Sequence, residues 1–163
     1  MPNTVTIRRF EQTDAPLVRE LIDGIMDKEF RDVKAAYPTE DIDHIEKAYG
    51  GLGEAFFVAV NGSKKVIGSV AIKKEDDRVA LLRRLFVDPS FRKQQLGVRL
   101  IDRALKFCDE VGYKEIIFKT TSQMQGAAKL CQKCGFIQRA KISLGTVELL
   151  KFSLSLRNGV KAS

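Results

Sequence analysis

The chain has 163 residues, 44% hydrophobic and 30% charged, with a net charge of +7. That length fits one domain with a core of its own. Apolar runs such as FFVAV are too short to cross a bilayer, which excludes a membrane span. The opening MPNTVTIRRF has no apolar stretch after its charges, so no secretory signal is expected and a cytoplasmic location follows. The basic excess favours an anionic partner: nucleic acid, a membrane surface or a phosphorylated cofactor. It is spread over small clusters (Lys64-Lys65, Lys73-Lys74, Arg83-Arg84, Arg92-Lys93), which a solvated basic surface explains as well. Cys108, Cys131 and Cys134 read as free thiols in a reducing compartment.

In chain order, TVTIRRF at residues 4–10 alternates and is β-branched, which predicts a strand. Asp14 reads as the N-cap of a helix over Ala15–Met26, whose apolar positions Leu17, Val18, Leu21, Ile22 and Ile25 follow a helical period. After Pro38 comes a helix near Asp41–Tyr49, closed by the glycines at 50, 51 and 53. Ala55–Val60 is a strand that ends at Asn61-Gly62, a hairpin signal, and Lys65–Lys73 pairs with it. Glu75-Asp76-Asp77 turns the chain into a third strand, Val79–Val87. A helix follows from about Gly97 to Glu110, then a strand over Tyr113–Thr120 and a helix over Gln123–Lys133 closed by Gly135 as C′ glycine. Phe136–Leu144 and Thr146–Leu154 form a last hairpin around Gly145. The expected architecture is one α/β (α+β) domain over residues 1–156, with a polar tail over 157–163. Its sheet is mixed, with a strand–helix–strand crossover after Val79.

That crossover puts Arg92–Gly97 past the end of a strand and at the start of a helix. Unpaired N–H groups and a partial positive charge gather there, and Arg92 and Lys93 add to it. An anion site and a charged turn are both open on spacing alone. Gly97 removes a side chain where backbone must approach a ligand. Neither GxxxxGK[ST] nor GxGxxG is present.

LRRLFVDPSFRKQQLGVRLID resembles the acyl-CoA loop of the GNAT superfamily, the acyl-CoA-dependent N-acetyltransferases. Ile7 to Asp14 is similar to that family's opening IRxxxxxD, and Ala127, Leu130, Gly135 and Phe136 match its A-x-x-L-Y-x-x-x-G-F helix. Gln95 stands where the loop usually has its first glycine. The resemblance implies a three-layer fold with a splayed, mostly antiparallel mixed sheet. It implies acetyl-CoA as co-substrate, a primary amine as acceptor, direct attack with no acyl-enzyme, and a homodimer as one open state. Carried over position by position, the cofactor would contact Leu85, Phe86, Val87, Arg92, Lys93, Gln94, Gln95, Leu96, Gly97, Val98, Thr121 and Lys133. Backbone amide at Phe86 or Val87, at a strand bulge, would receive the developing oxyanion.

Two familiar side chains are replaced. Leu81 stands at the position of a glutamate base, and Cys131 at the position of a tyrosine acid. Cys131 reads either as that acid or as a small buried hydrophobe. The base role passes to water, relayed to an acid such as Glu54, Asp76 or Asp77, and proximity carries most of the rate. The C-x-x-C at Cys131–Cys134 lacks metal partners and lies at the wrong end of its helix for a reactive thiol, so no metal is expected. His44 reads as a surface residue or an acceptor-side one. The acid-rich, aromatic segment with Phe30, Tyr37, Glu40, Asp41, Asp43, Glu46 and Tyr49 reads as a solvated helix and loop or as a cover suited to a cationic amine. Two rival functions remain: a non-catalytic acyl-CoA sensor, and a basic nucleic-acid-binding module. No helix-turn-helix, zinc-finger or RNP-like motif supports the second.

Overall fold

The computed structural model describes residues 4–32, 38–92 and 95–156. Its elements are β1 (Thr6–Arg9), α1 (Ala15–Glu29), α2 (Glu40–Asp43), α3 (Ile45–Ala48), β2 (Ala55–Val60), β3 (Val66–Lys74), β4 (Val79–Val87), α4 (Leu96–Val111), β5 (Glu115–Thr121), α5 (Gln125–Lys133), β6 (Ile137–Leu144) and β7 (Val147–Ser155). The strands form one seven-stranded sheet in the order β1-β2-β3-β4-β5-β7-β6. Only β4 and β5 pair in parallel; every other neighbour pair is antiparallel. A parallel pair needs a crossover, and α4 supplies it.

The sheet lies between two apolar clusters, which gives three layers. One holds Phe57, Ile72 and Leu82 of the sheet against Leu100, Ile101, Ala104 and Cys131 of α4 and α5. The other holds Phe56, Val58 and Ala71 against Val18, Ile22 and Met26 of α1, with Ile42 and Ile45 of α2 and α3. Strands β2 and β3 are buried on both faces, so they read as near-continuous apolar runs. Strand β6 is exposed along its whole length.

Three local expectations are refined. Asp14 holds the N-cap position of α1 as expected, but its side chain makes no cap hydrogen bond. Its carboxylate instead takes two hydrogen bonds from Arg8, at 2.8 and 2.9 Å, and one from the Glu11 amide. The helix expected near Asp41–Tyr49 is two short ones, broken at His44. The β2–β3 turn is wider than Asn61-Gly62 suggests: Lys64, at φ 65°, takes the left-handed position, and the Asn61 side chain accepts from the amides of Ser63 and Lys65.

Candidate active site

The site is made by the way β4 and β5 part. Their parallel register runs from Val79↔Glu115 to Leu82↔Phe118 and stops there. Beyond Leu82, β4 carries a bulge. On β3, Ser69 pairs with Phe86 and Ala71 with Arg83, so Arg84 and Leu85 together face Val70. Arg84 sits at φ 55°, and its carbonyl accepts from the buried Ser69 hydroxyl at 2.7 Å.

The bulge inverts the parity of the strand. Ala80 and Leu82 pack toward α4, and so do Leu85 and Val87, while Phe86 packs toward α1. Neighbours on a regular strand point to opposite faces, but across this bulge Arg83 and Arg84 share one. Arg84 Nε donates to Asp41 Oδ2 at 2.9 Å and its Nη2 donates to Asp41 Oδ1 and to the Pro38 carbonyl. Arg83 lies 4.0 Å from Asp41 and over the Tyr49 ring. The Tyr49 hydroxyl also donates to Asp41. Burial alone would raise the Asp41 carboxyl; the hydrogen bonds from Arg84 and Tyr49 outweigh it and hold it below the usual range. Burial, then the Asp41 bond, pushes the Tyr49 phenol up. This network ties α2 and α3 to the bulge.

At the split lies a cavity of about 910 Å³. Among the residues expected at a cofactor site, Leu85, Phe86, Val87, Arg92, Gln95, Leu96, Gly97, Val98 and Lys133 line it. Lys93 and Gln94 lie outside the described residues. Thr121 is not a lining residue, though Ser122 to Ala127 after it are. Thr121 is 2% exposed, and its Oγ1 has no hydrogen-bond partner among the described residues.

The N-terminus of α4 faces this space. Gln95 precedes it at φ 64° and ψ 13°, the left-handed region, and gives no side-chain cap. The first helical hydrogen bond runs from Arg99 to Gln95, so the amides of Leu96, Gly97 and Val98 have no partner within the helix. Arg92, Lys129 and Lys133 add positive charge around the cavity. Gly97 has a second reason to be glycine: a Cβ there would lie 2.3 Å from Leu130 Cδ2, so the gap lets α4 and α5 approach. Its backbone is not left-handed; that demand falls on Gln95.

The candidate acids and bases separate in space. Cys131 is fully buried, packs in the α4-side core and is not a lining residue. Burial pushes its thiol up to about 12. Burial also raises the Cys134 thiol. Leu81 pairs with Lys73 and Ile117, below the split. Asp76 closes the β3–β4 turn by accepting from the amides of Arg78 and Val79, and Asp77 pairs with Lys74. At about 3.3 Å per residue, those acids lie roughly 25 Å along β4 from Val87. Glu54 is held by Lys73 and the amides of Gly51 and Lys74. None of these three acids lines the cavity. His44 is exposed and does not line it either. The acid at the cavity is Glu29, the last residue of α1, which runs three residues past the helix end expected at Met26. Among the described residues, no group of three or more His, Cys, Asp or Glu side chains is placed to hold a metal ion. No described helix is long and apolar enough to cross a membrane.

A seven-stranded mixed sheet, split between its parallel strands beside a basic helix start, defines an acetyltransferase-type α/β fold. Residues 20–136 match the model of the acetyltransferase (GNAT) family, and the chain belongs to that family. It is 33% identical over 102 residues to human N-acetyltransferase 8, a match covering 59% of this chain and 44% of that protein. It is 35% identical over 85 residues to N-acetylaspartate synthetase of Danio rerio, covering 52% of this chain and 30% of that one. The matches thus span less than half the length of these curated relatives. A GNAT-family acetyltransferase structure from Staphylococcus aureus superposes with a TM-score of 0.82 at 21% identity, over 94% of this chain and all of the other. A structure from Salmonella typhimurium, whose description names acetyl-CoA as its cofactor, superposes with a TM-score of 0.77 at 20% identity, over 95% of both chains.

Proposed function

We propose that this protein transfers an acetyl group from acetyl-CoA to a primary amine, by direct attack at the opening between β4 and β5. The observation that carries this reading is the cavity that joins the free edge at Leu85–Val87 to the amides at the start of α4 that have no partner among the described residues. The residues fit such a ligand. Helix amides with Arg92 and Lys133 suit phosphates. Strand backbone at Leu85–Val87 suits an amide-bearing arm that adds like a strand.

Acetyl-CoA supplies the activated acetyl group. The chain's own part is to hold, orient and polarise. Past Leu82 that edge of β4 has no β5 partner, so whichever amide of Phe86 or Val87 points to that side donates to the oxygen that gains charge on attack. The amine must lose a proton that it keeps to about pH 10 in water. With Leu81, Glu54, Asp76 and Asp77 away from the cavity, that proton leaves through water. Cys131 fits the buried-hydrophobe reading better than the acid: a thiol with its proton held to about 12 does not give it to a thiolate whose own value is near 8.5.

Free-CoA release from acetyl-CoA across a panel of small amines, amino acids and peptide N-termini tests this reading. Amine-dependent release is expected; none at millimolar acetyl-CoA with any amine class contradicts it. The lack of a side-chain acid or base at Leu81 and Cys131 supports one second reading, a CoA-binding protein without turnover. Cofactor binding with no release would favour it.

A further inference from the structure

Glu29 is a carboxylate that the proposed transfer does not use. Among the described lining residues it is the only acidic side chain, in a cavity that also holds Arg92, Lys129 and Lys133. It occupies the last position of α1. The C-terminal end of a helix is already negative, so a carboxylate there works against helix stability. The fold therefore gives no local reason for an acid at this place.

Its partner is Arg92. Arg92 Nη1 donates to Glu29 Oε1 at 2.9 Å, and Arg92 Nε donates to the Val87 carbonyl at 3.1 Å. The carboxylate thus stands one guanidinium's width from the end of β4. The two side chains are 30% and 41% exposed, and an ion pair this open is weak and easily exchanged. A guanidinium binds a phosphate bidentately, and a polyanion outcompetes one carboxylate for it. Once Arg92 turns away, Glu29 is a lone negative charge in a cavity that Ile25, Phe30 and Phe86 also line, where a cation is worth more than in open water. Primary amines are such cations at neutral pH.

We propose that Glu29 is the acceptor-binding carboxylate: Arg92 covers it in the free protein and uncovers it on turning to an acyl-CoA phosphate, so that a positively charged amine takes Arg92's place. This inference rests on the acyl-CoA reading above. Glu29 binds and orients the ammonium group; the proton lost on transfer goes to water. The two ligands then favour each other's binding by the same factor.

Calorimetric titration of the full chain with CoA, wild type against Glu29→Gln, reads the exchange. Removing the competing carboxylate makes CoA bind roughly two- to fivefold tighter. The melting temperature stays level or rises, because an unfavourable helix-end charge is gone. A Glu29 that only braced Arg92 would give the opposite sign in both readouts. Titrating 1,4-diaminobutane into CoA-saturated protein gives binding that Glu29→Gln weakens by about tenfold, and Glu29→Asp recovers part of it. Equal or weaker CoA binding by Glu29→Gln, or unchanged amine binding, overturns the exchange. A wild type that fails to bind CoA overturns the acyl-CoA reading and this inference with it. A wild type that binds CoA and acetylates amines, matched in both by Glu29→Gln, overturns this inference alone.

Discussion

Gln95 carries a strain that a single substitution can expose. It holds φ 64° and ψ 13° at the entry to α4, it is exposed, and its side chain caps nothing. A left-handed backbone costs a residue with a Cβ roughly 1–2 kcal/mol. Glycine escapes that cost, but its looser unfolded chain gives back roughly 0.5–1 kcal/mol. Gln95→Gly is therefore expected to stabilise the fold by about 0.5–1 kcal/mol. For a chain of this size that raises the melting temperature by about 1–4 °C. Gln95→Ala is the control, since it loses the amide but keeps the Cβ and the strain. Thermal unfolding followed by circular dichroism reads both. If Gln95→Gly melts at or below the wild type, or if Gln95→Ala is stabilised as much as Gln95→Gly, the left-handed strain at the loop is refuted.

Three further outcomes follow from the packing and the charges. Gly97→Ala presses a methyl against Leu130 Cδ2 and should cost about 1–2 kcal/mol in denaturant unfolding, with most of that cost absent in a Leu130→Ala background. Asp41→Ala leaves Arg84 buried without its carboxylate and should cost about 3–5 kcal/mol; a loss under about 1 kcal/mol would mean that the clamp does not hold the bulge. Asp14, Asp41, Glu54 and Asp88 all have carboxyls held below their ordinary range. The stabilisation that this represents is complete above about pH 4–5 and is lost as the pH falls through the lowered folded values. An acid titration followed by fluorescence of an added hydrophobic dye should show unfolding only below about pH 4, and Arg8→Met should move it to higher pH by releasing Asp14.

The order of elements was legible because period and punctuation agreed. Ala55–Val60 and Val79–Val87 match their expected bounds, and Gly135 closes α5 at φ 102°. What the sequence hid was register. A strand read by alternation puts Arg83 and Arg84 on opposite faces, and only pairing with β3 reveals the extra residue that puts them together. The loop between β4 and α4 was legible as a motif, yet Gln95 and Gly97 exchange reasons in the structure. The left-handed backbone belongs to Gln95, and the missing side chain at Gly97 serves the approach of α5. Glu29 escaped notice for a different cause. It is 63 residues from Arg92 along the chain, and no spacing rule joins a helix end to a loop across the sheet. Asp76 and Asp77 are acids next to β4 in the sequence, but they lie at the end of that strand away from the split.

The most direct test of the account is where acetyl-CoA binds. Backbone amide shifts of the labelled protein, followed while acetyl-CoA is titrated, should move first at Leu85–Val87 and at Gln95–Val98. Shifts confined to another surface, such as the groove between β1 and α4 around Arg99 and Arg103, would contradict it, as would no shift at millimolar acetyl-CoA.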